Sequence, residues 1–357
     1  MKKTVLAVTL AALPLAAMAD VTLYGKVKMG VETSLVKEGT FLGFDDNDDA
    51  VFSGQDVTRT NIDDLGSRIG FKGTESLSSG LNAIWQVETA LTMTGSRDGA
   101  GVAGGSSFGK LRDSFVGLQS SDFGTLQIGR LGNFANIEQG VIDIWTYGQN
   151  TLGLSAFTNN GSRYDHAVRY TTPDLSGFTG FVQYGQEEAQ PGSLVSGTDY
   201  GTDQANRLVN VGLKFATGPW LLTYGYQDNT TNYFADAIDH SVEGVYKADG
   251  LLVGLGYRNN NVGFGDLTSL ESTYEQLAVT VAYEVGAWKP KFSYAYGEQT
   301  FNIEGQDVGT LAYDQAIIGF DYSLSKRTVI GSQFGYLDSE YLDEVVQSFG
   351  VNVVHSF

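Results

Sequence analysis

The sequence predicts an all-β fold: a transmembrane antiparallel β-barrel of about 16 strands, with short periplasmic turns, long external loops and a third loop folded into the lumen. Three observations carry this. Segments of about 8–12 residues show one apolar and one polar face, the length a tilted strand needs to cross a bilayer. The connections between them alternate short and long, as a barrel with two unlike ends requires. One long stretch, 131–162, breaks the two-residue beat, lies between Arg130 and Arg163, and carries Glu138 and Asp143 in its middle.

The totals fit an exported β protein. The chain has 357 residues, enough for one large β domain or two ordinary ones. Lys2 and Lys3, the apolar run 5–12 and Ala17-Met18-Ala19 read as a signal peptide over 1–19, so the mature barrel is expected over 20–357. That apolar run is too short to span a bilayer. The chain has no cysteine, which removes disulfides, thiolate metal sites and cysteine nucleophiles. The net charge is -19, and loss of Lys2 and Lys3 makes it more negative still. Such a chain is not expected to bind nucleic acid or to lie on anionic lipid through a basic face. Glycine is abundant at 46, proline scarce at 5, and Tyr and Phe number 19 and 20. Tyrosine-rich, glycine-rich, cysteine-free strands after a signal peptide suit the outer membrane of a Gram-negative bacterium.

The elements follow in order. Val21, Leu23, Val27, Met29 and Val31 share one face, while Thr22, Tyr24, Lys26 and Lys28 share the other. Residues 33–64 read as a long polar loop. Its run Asp45-Asp46-Asn47-Asp48-Asp49 resembles the start of a calcium loop. Ala50 stands where the sharp-turn glycine belongs and no glutamate closes the frame, so no metal site is assigned. Strands are expected near 67–75 and 81–90, then a polar loop over 94–108. Gly104 to Lys110 has phosphate-loop spacing, but Leu111 replaces the needed hydroxyl residue. Strands near 110–120 and 123–130 precede the long interruption, and the beat resumes at 163–170 and 178–186. It continues in rows such as Val209, Val211, Leu213; Trp220, Leu222, Tyr224; Leu277, Val279, Val281; and Phe349, Val351, Val353, Phe357. Trp220 and Trp288 fall at strand starts, where an interfacial aromatic girdle belongs.

Taking the polar faces of the early strands as the lumen, Lys26, Arg68, Arg112 and Arg163 point inward, with Arg130 close by. The loop opposes them with Glu138 and Asp143. Such an arrangement sets a field across the narrowest level and tunes which ions pass.

Several segments also resemble a known family. The start MKKTVLAVTLAALPLAAMADVTLYG, the run DLGSRIGFKGTESLSSGLNAIWQVE and the segment YSLSKRT are similar to the neisserial major porins of the general bacterial porin superfamily. The resemblance implies a 16-stranded barrel, a homotrimer embedded in outer-membrane lipid, and passive diffusion of ions and small polar solutes, with no cofactor. It carries a basic wall opposite the third loop onto Lys26 in LYGK, Arg68 in SRIGFKG, Arg112 before FVGL and Arg163 before Tyr170. The loop acids have no matching motif. The terminal Phe357 resembles the signal read by the barrel-assembly machinery, with His355 in place of one apolar residue.

Other functions find less in the chain. The histidines, His166, His240 and His355, fall by parity on the outward face, and no nucleophile or paired-histidine motif is present, so no enzyme is expected. A sugar-specific channel would want an aromatic slide, to which Tyr24, Phe134, Trp145 and Tyr147 are the candidates.

Overall fold

The computed structural model describes residues 20–37, 41–44, 50–52, 56–78, 80–94, 108–133, 141–148, 150–158, 163–186, 207–230, 236–263, 270–340 and 344–357. The expected signal peptide over 1–19 and the acidic run 45–49 lie outside them.

The barrel strands are β1 (Asp20–Val36), β2 (Val57–Asp64 and Arg68–Ser78), β3 (Leu81–Leu91), β4 (Phe108–Ser120), β5 (Gly124–Gly132), β6 (Arg163–Thr171), β7 (Phe178–Gln186) and β8 (Arg207–Thr217). They continue as β9 (Trp220–Thr230), β10 (Asp236–Ala248), β11 (Leu251–Gly263), β12 (Leu270–Tyr283), β13 (Trp288–Ile303), β14 (Gln306–Ser323), β15 (Thr328–Ser339) and β16 (Glu344–Ser356). The two segments of β2 are counted apart in the 17-stranded sheet but form one stave. Arg68–Thr74 pairs with the lower half of β1 and Val57–Asp64 with its upper half. The break between them is closed locally. Asp64 Oδ1 accepts the Gly66 and Ser67 N–H groups at 2.8 and 2.7 Å, and Ser67 Oγ accepts the Lys28 N–H at 2.9 Å.

Every neighbouring pair is antiparallel, and β1 pairs with β16 from Lys26↔Ser356 to Val36↔Val346. The sheet therefore closes into a 16-stave barrel. Closure removes the unpaired edges that lipid cannot hydrate. Short turns end one side. Asp249-Gly250 turns β10 into β11 there with φ of 50° and 83°; at the other end Glu304-Gly305 turns β13 into β14 with φ of 52° and 75°. Two successive positive φ values are what a two-residue hairpin needs to match strand twist.

Burial is inverted relative to a water-soluble sheet. Large apolar residues stand exposed on the outside, among them Leu23, Phe71, Val116, Leu213, Leu255, Leu277, Phe292, Ile318 and Phe334. Polar residues such as Gln183, Asn210, Glu243, Thr280, Ser293, Gln315 and Gln333 are buried on the inside. A sandwich would bring its apolar faces together; here they look outward, as a lipid-facing surface does. Trp220 packs on Tyr246 and Trp288 on Tyr322, both with centroids 4.8 Å apart, at the short-turn end. That is the expected girdle.

The ladders run further than the apolar pattern alone suggests. The loop expected over 33–64 is shortened, because β1 runs to Val36 and β2 begins at Val57. The connection between β13 and β14 shrinks to Glu304-Gly305, since these strands run 16 and 18 residues. The alternating pattern reports only the lipid band. The hydrogen-bonded ladder continues where the apolar beat has ended, as at Gln306 to Thr310 of β14, which are all exposed.

Candidate functional site

The segment after β5 enters the barrel and docks along β9 to β16, and the Tyr147 hydroxyl also donates to the Val31 carbonyl of β1 at 2.9 Å. Asn133 opens it, donating to Gln227 of β9 at 2.7 Å. The Val141 and Ile142 amides face Glu243 Oε2 of β10 at 2.8 and 3.4 Å. Trp145 Nε1 donates to Ser293 Oγ of β13 at 2.9 Å. Lys291, also on β13, donates to the Ile144 carbonyl at 3.2 Å and lies 4.5 Å from the centroid of the Trp145 ring. Gln315 donates to the Gly153 carbonyl at 2.7 Å, and Arg258 to the Phe157 carbonyl at 2.9 Å. These wall groups satisfy loop backbone that would otherwise be buried without partners.

An apolar core backs the polar pins. Ile142, Leu154 and Phe157 are fully buried against Val245, Leu252, Ala278, Ala282, Ala295 and Ile317. Glycine makes room for it. A Cβ on Gly256 would stand 2.6 Å from the Phe157 ring, and one on Gly254 would stand 2.5 Å from Ile142. Trp145 and Tyr147 are 7% and 2% exposed, so their rings serve packing and do not form an aromatic slide. Phe134 lies outside the described residues.

The opposite wall, on β1 to β6, carries the basic cluster. Lys26 and Arg68 are cross-strand partners. Glu88 of β3 sits among them: Arg112 pairs with Glu88 Oε1, Arg68 Nε lies 3.8 Å from Oε2, and the Tyr24 hydroxyl donates to Oε2 at 3.0 Å. Gly70 stands between Tyr24 and Glu88 and leaves the phenol its path. Arg163 pairs with Asp113 at 2.5 Å. Arg130 stands beside this cluster, with its guanidinium on the Leu111 carbonyl and Asp165.

The sequence-predicted residues thus divide. Lys26, Arg68, Arg112 and Arg163 come together. Asp143 lies on the loop across from them, and Glu138 lies outside the described residues. Burial pushes the Asp143 carboxyl up to about 6, opposed by the Trp145 and Leu154 amides and by Lys291 and Lys28. Sequence reasoning missed three members. Lys28 faces Asp143 from β1, while Glu88 and Asp113 neutralise part of the basic wall. Glu88 was accessible, since it shares the polar face of its strand with Gln86. Asp113 was not. It neighbours Arg112, and only the register shifts of β3 against β4 let both turn to ionic partners.

Comparison with known proteins bears on the barrel as a whole. The model of the Gram-negative porin family matches residues 4–341. The major outer membrane protein P.IB of Neisseria meningitidis serogroup A is 34% identical over 364 residues, covering all of both chains. Its counterpart in Neisseria gonorrhoeae is 33% identical over 383 residues, again with full coverage of both. In fold, the chain is similar to an anion-selective porin from Comamonas acidovorans, with TM-score 0.69 and 19% identity over 95% of this chain and 100% of that one. It is also similar to the trimer form of OmpT from Vibrio cholerae, with TM-score 0.65 and 17% identity over 95% and 99% of the two chains. Inverted burial, sheet closure and full-length relatedness converge: the chain belongs to the Gram-negative porin family and is a β-barrel of the outer membrane.

Proposed function

We propose that each barrel is a passive diffusion channel for ions and small hydrophilic solutes, narrowed between the inward loop and the basic wall. The observation that carries this is the separation of charge: Lys26, Lys28, Arg68, Arg112 and Arg163 stand on one side and Asp143 on the other. Glu138 joins the loop side by sequence, and Arg130 the basic side. Because Glu88 and Asp113 already balance much of the wall, selectivity is weak, with anions favoured at close range.

The functional unit is a homotrimer in outer-membrane lipid. Residues 1–19 are an export leader, and 20–357 form the working barrel. The last strand ending in Phe357 is read by the barrel-assembly machinery; Phe357 and Gly25 exchange backbone hydrogen bonds at 3.0 and 3.1 Å, which completes the seam. Planar-bilayer recording of the purified protein tests the reading. Conductance closing in three equal steps, with a small anion-directed reversal potential in a salt gradient, is expected. Absence of conductance refutes the channel, and single-step closure refutes the trimer.

A further inference from the structure

The segment YSLSKRT forms the turn from β14 to β15 and plays no part in the constriction. Of the seven turns at this end of the barrel, only this one carries cations. The others hold Asp122, Asp174, Asp249, Glu284 or no charge. Lys326 and Arg327 are both exposed and form no ion pair among the described residues. The turn is nonetheless held in shape. Ser325 Oγ accepts the Arg327 and Thr328 N–H groups at 3.2 and 3.1 Å, and the Arg327 carbonyl accepts the Ser356 N–H at 2.8 Å. In so acidic a chain, a lone ordered cationic turn is informative.

Directly above it the lipid-facing wall is concave. The outward row Phe292, Ile318, Phe334 and Phe349 runs across four paired strands. The row nearer the turn pairs Pro290 with Phe320 and Phe320 with Ser332. Pro290 and Ser332 are small where their neighbours are large. Between the rows lies an almost wholly apolar groove of about 620 Å³. Ser332 stands five residues beyond Arg327, roughly 17 Å along the strand and about 13 Å in depth once tilted, within a leaflet of ~15 Å. An acyl chain in the groove therefore has its headgroup at the level of the turn.

We propose that the groove outside β12–β16, with Lys326 and Arg327 at its foot, is a binding site for one anionic phospholipid of the periplasmic leaflet. The chain fills the groove and the phosphate meets the two cations. Neither part suffices alone: the groove gives place, the turn gives headgroup preference.

Native mass spectrometry of the full-length folded protein, delipidated and then mixed with equal phosphatidylglycerol and phosphatidylcholine, tests this. Each cation near an anionic lipid is worth about fivefold, so the wild type retains phosphatidylglycerol over phosphatidylcholine by about 30-fold. K326A and R327A each lose about fivefold of that preference, and the double variant loses nearly all of it. S332F fills the groove and lowers retention of both lipids. Equal retention of the two lipids by the wild type, an unchanged preference in the double variant, or an S332F protein that binds lipid normally overturns the proposal. So does an S332F protein whose subunits separate, since the groove would then face another copy. Conductance should be unchanged in all variants, so this test stands apart from the channel reading.

Discussion

Lys291→Met removes the charge that pins the middle of the inward loop while keeping a similar stem. Lys291 has a fully buried side chain, an ion pair to Asp321 at 2.8 Å, the Ile144 carbonyl at 3.2 Å and the Trp145 ring at 4.5 Å. Breaking a buried ion pair from one side costs about 3–5 kcal/mol. Asp321 keeps 19% of its side chain exposed and can rehydrate, which favours the lower end. The charged hydrogen bond to the carbonyl is worth about 1.5–3 kcal/mol and the cation–π contact about 1–2 kcal/mol. All three share one ammonium and do not add, so the net loss is about 3–4 kcal/mol. Ile142, Leu154 and Phe157 still bury about 1.5–3 kcal/mol each. The loop therefore stays docked at its ends while the Ile144–Trp145 segment opens. Two assays read this. Single-channel recording should show a noisier open level of higher mean conductance. Acrylamide should quench Trp145 more strongly in a chain whose other tryptophans, Trp85, Trp220 and Trp288, are phenylalanine. A K291M channel as quiet and as conductive as wild type, with Trp145 still shielded, refutes the pinning role.

Other perturbations follow from the same geometry. Protonating Asp143 removes one loop charge, so reversal potentials should move toward anions as pH falls through about 6, and Asp143→Asn should abolish that shift. The sign for stability is fixed as well. The docked carboxyl titrates above its ordinary 3.8, so docking is fully stabilised below that value and loses the contribution as pH rises through about 6, a trend readable in loop proteolysis. Glu88→Gln leaves Arg68 and Arg112 without their shared carboxylate; a unit charge at ~4 Å in a water-like medium is worth about 1 kcal/mol, so the anion-to-cation permeability ratio should rise about fivefold. Gly256→Ala sets a methyl 2.6 Å from the Phe157 ring, at about 1–3 kcal/mol of overpacking. The displaced loop moves toward the basic wall, so conductance should fall, opposite in sign to K291M.

The fold was legible because lipid writes a strong period into a strand. Val21 and Leu23, or Leu277 and Val281, alternate since one face must be apolar at every second residue. Where that pressure ends the alternation ends too: β1, β13 and β14 run on past their apolar rows, and no pattern announces those ends of their ladders. The basic wall was legible by parity from Lys26, Arg68 and Arg112, and its counter-charge Glu88 follows by the same rule. Asp113 needed a bulge, which no period shows. The loop's attachment is hidden more deeply. Lys291 and Ile144 meet across 147 residues, and Gly254 and Gly256 matter only because Ile142 and Phe157 come to rest on them. A repeating face can be read from one strand at a time. What a loop touches after it leaves the ladder depends on which stave the closed ring brings opposite, and that exists only once the ring has closed. The docking of the inward loop therefore rests on contacts that no single segment encodes, while the barrel that makes them possible is encoded by nearly every segment.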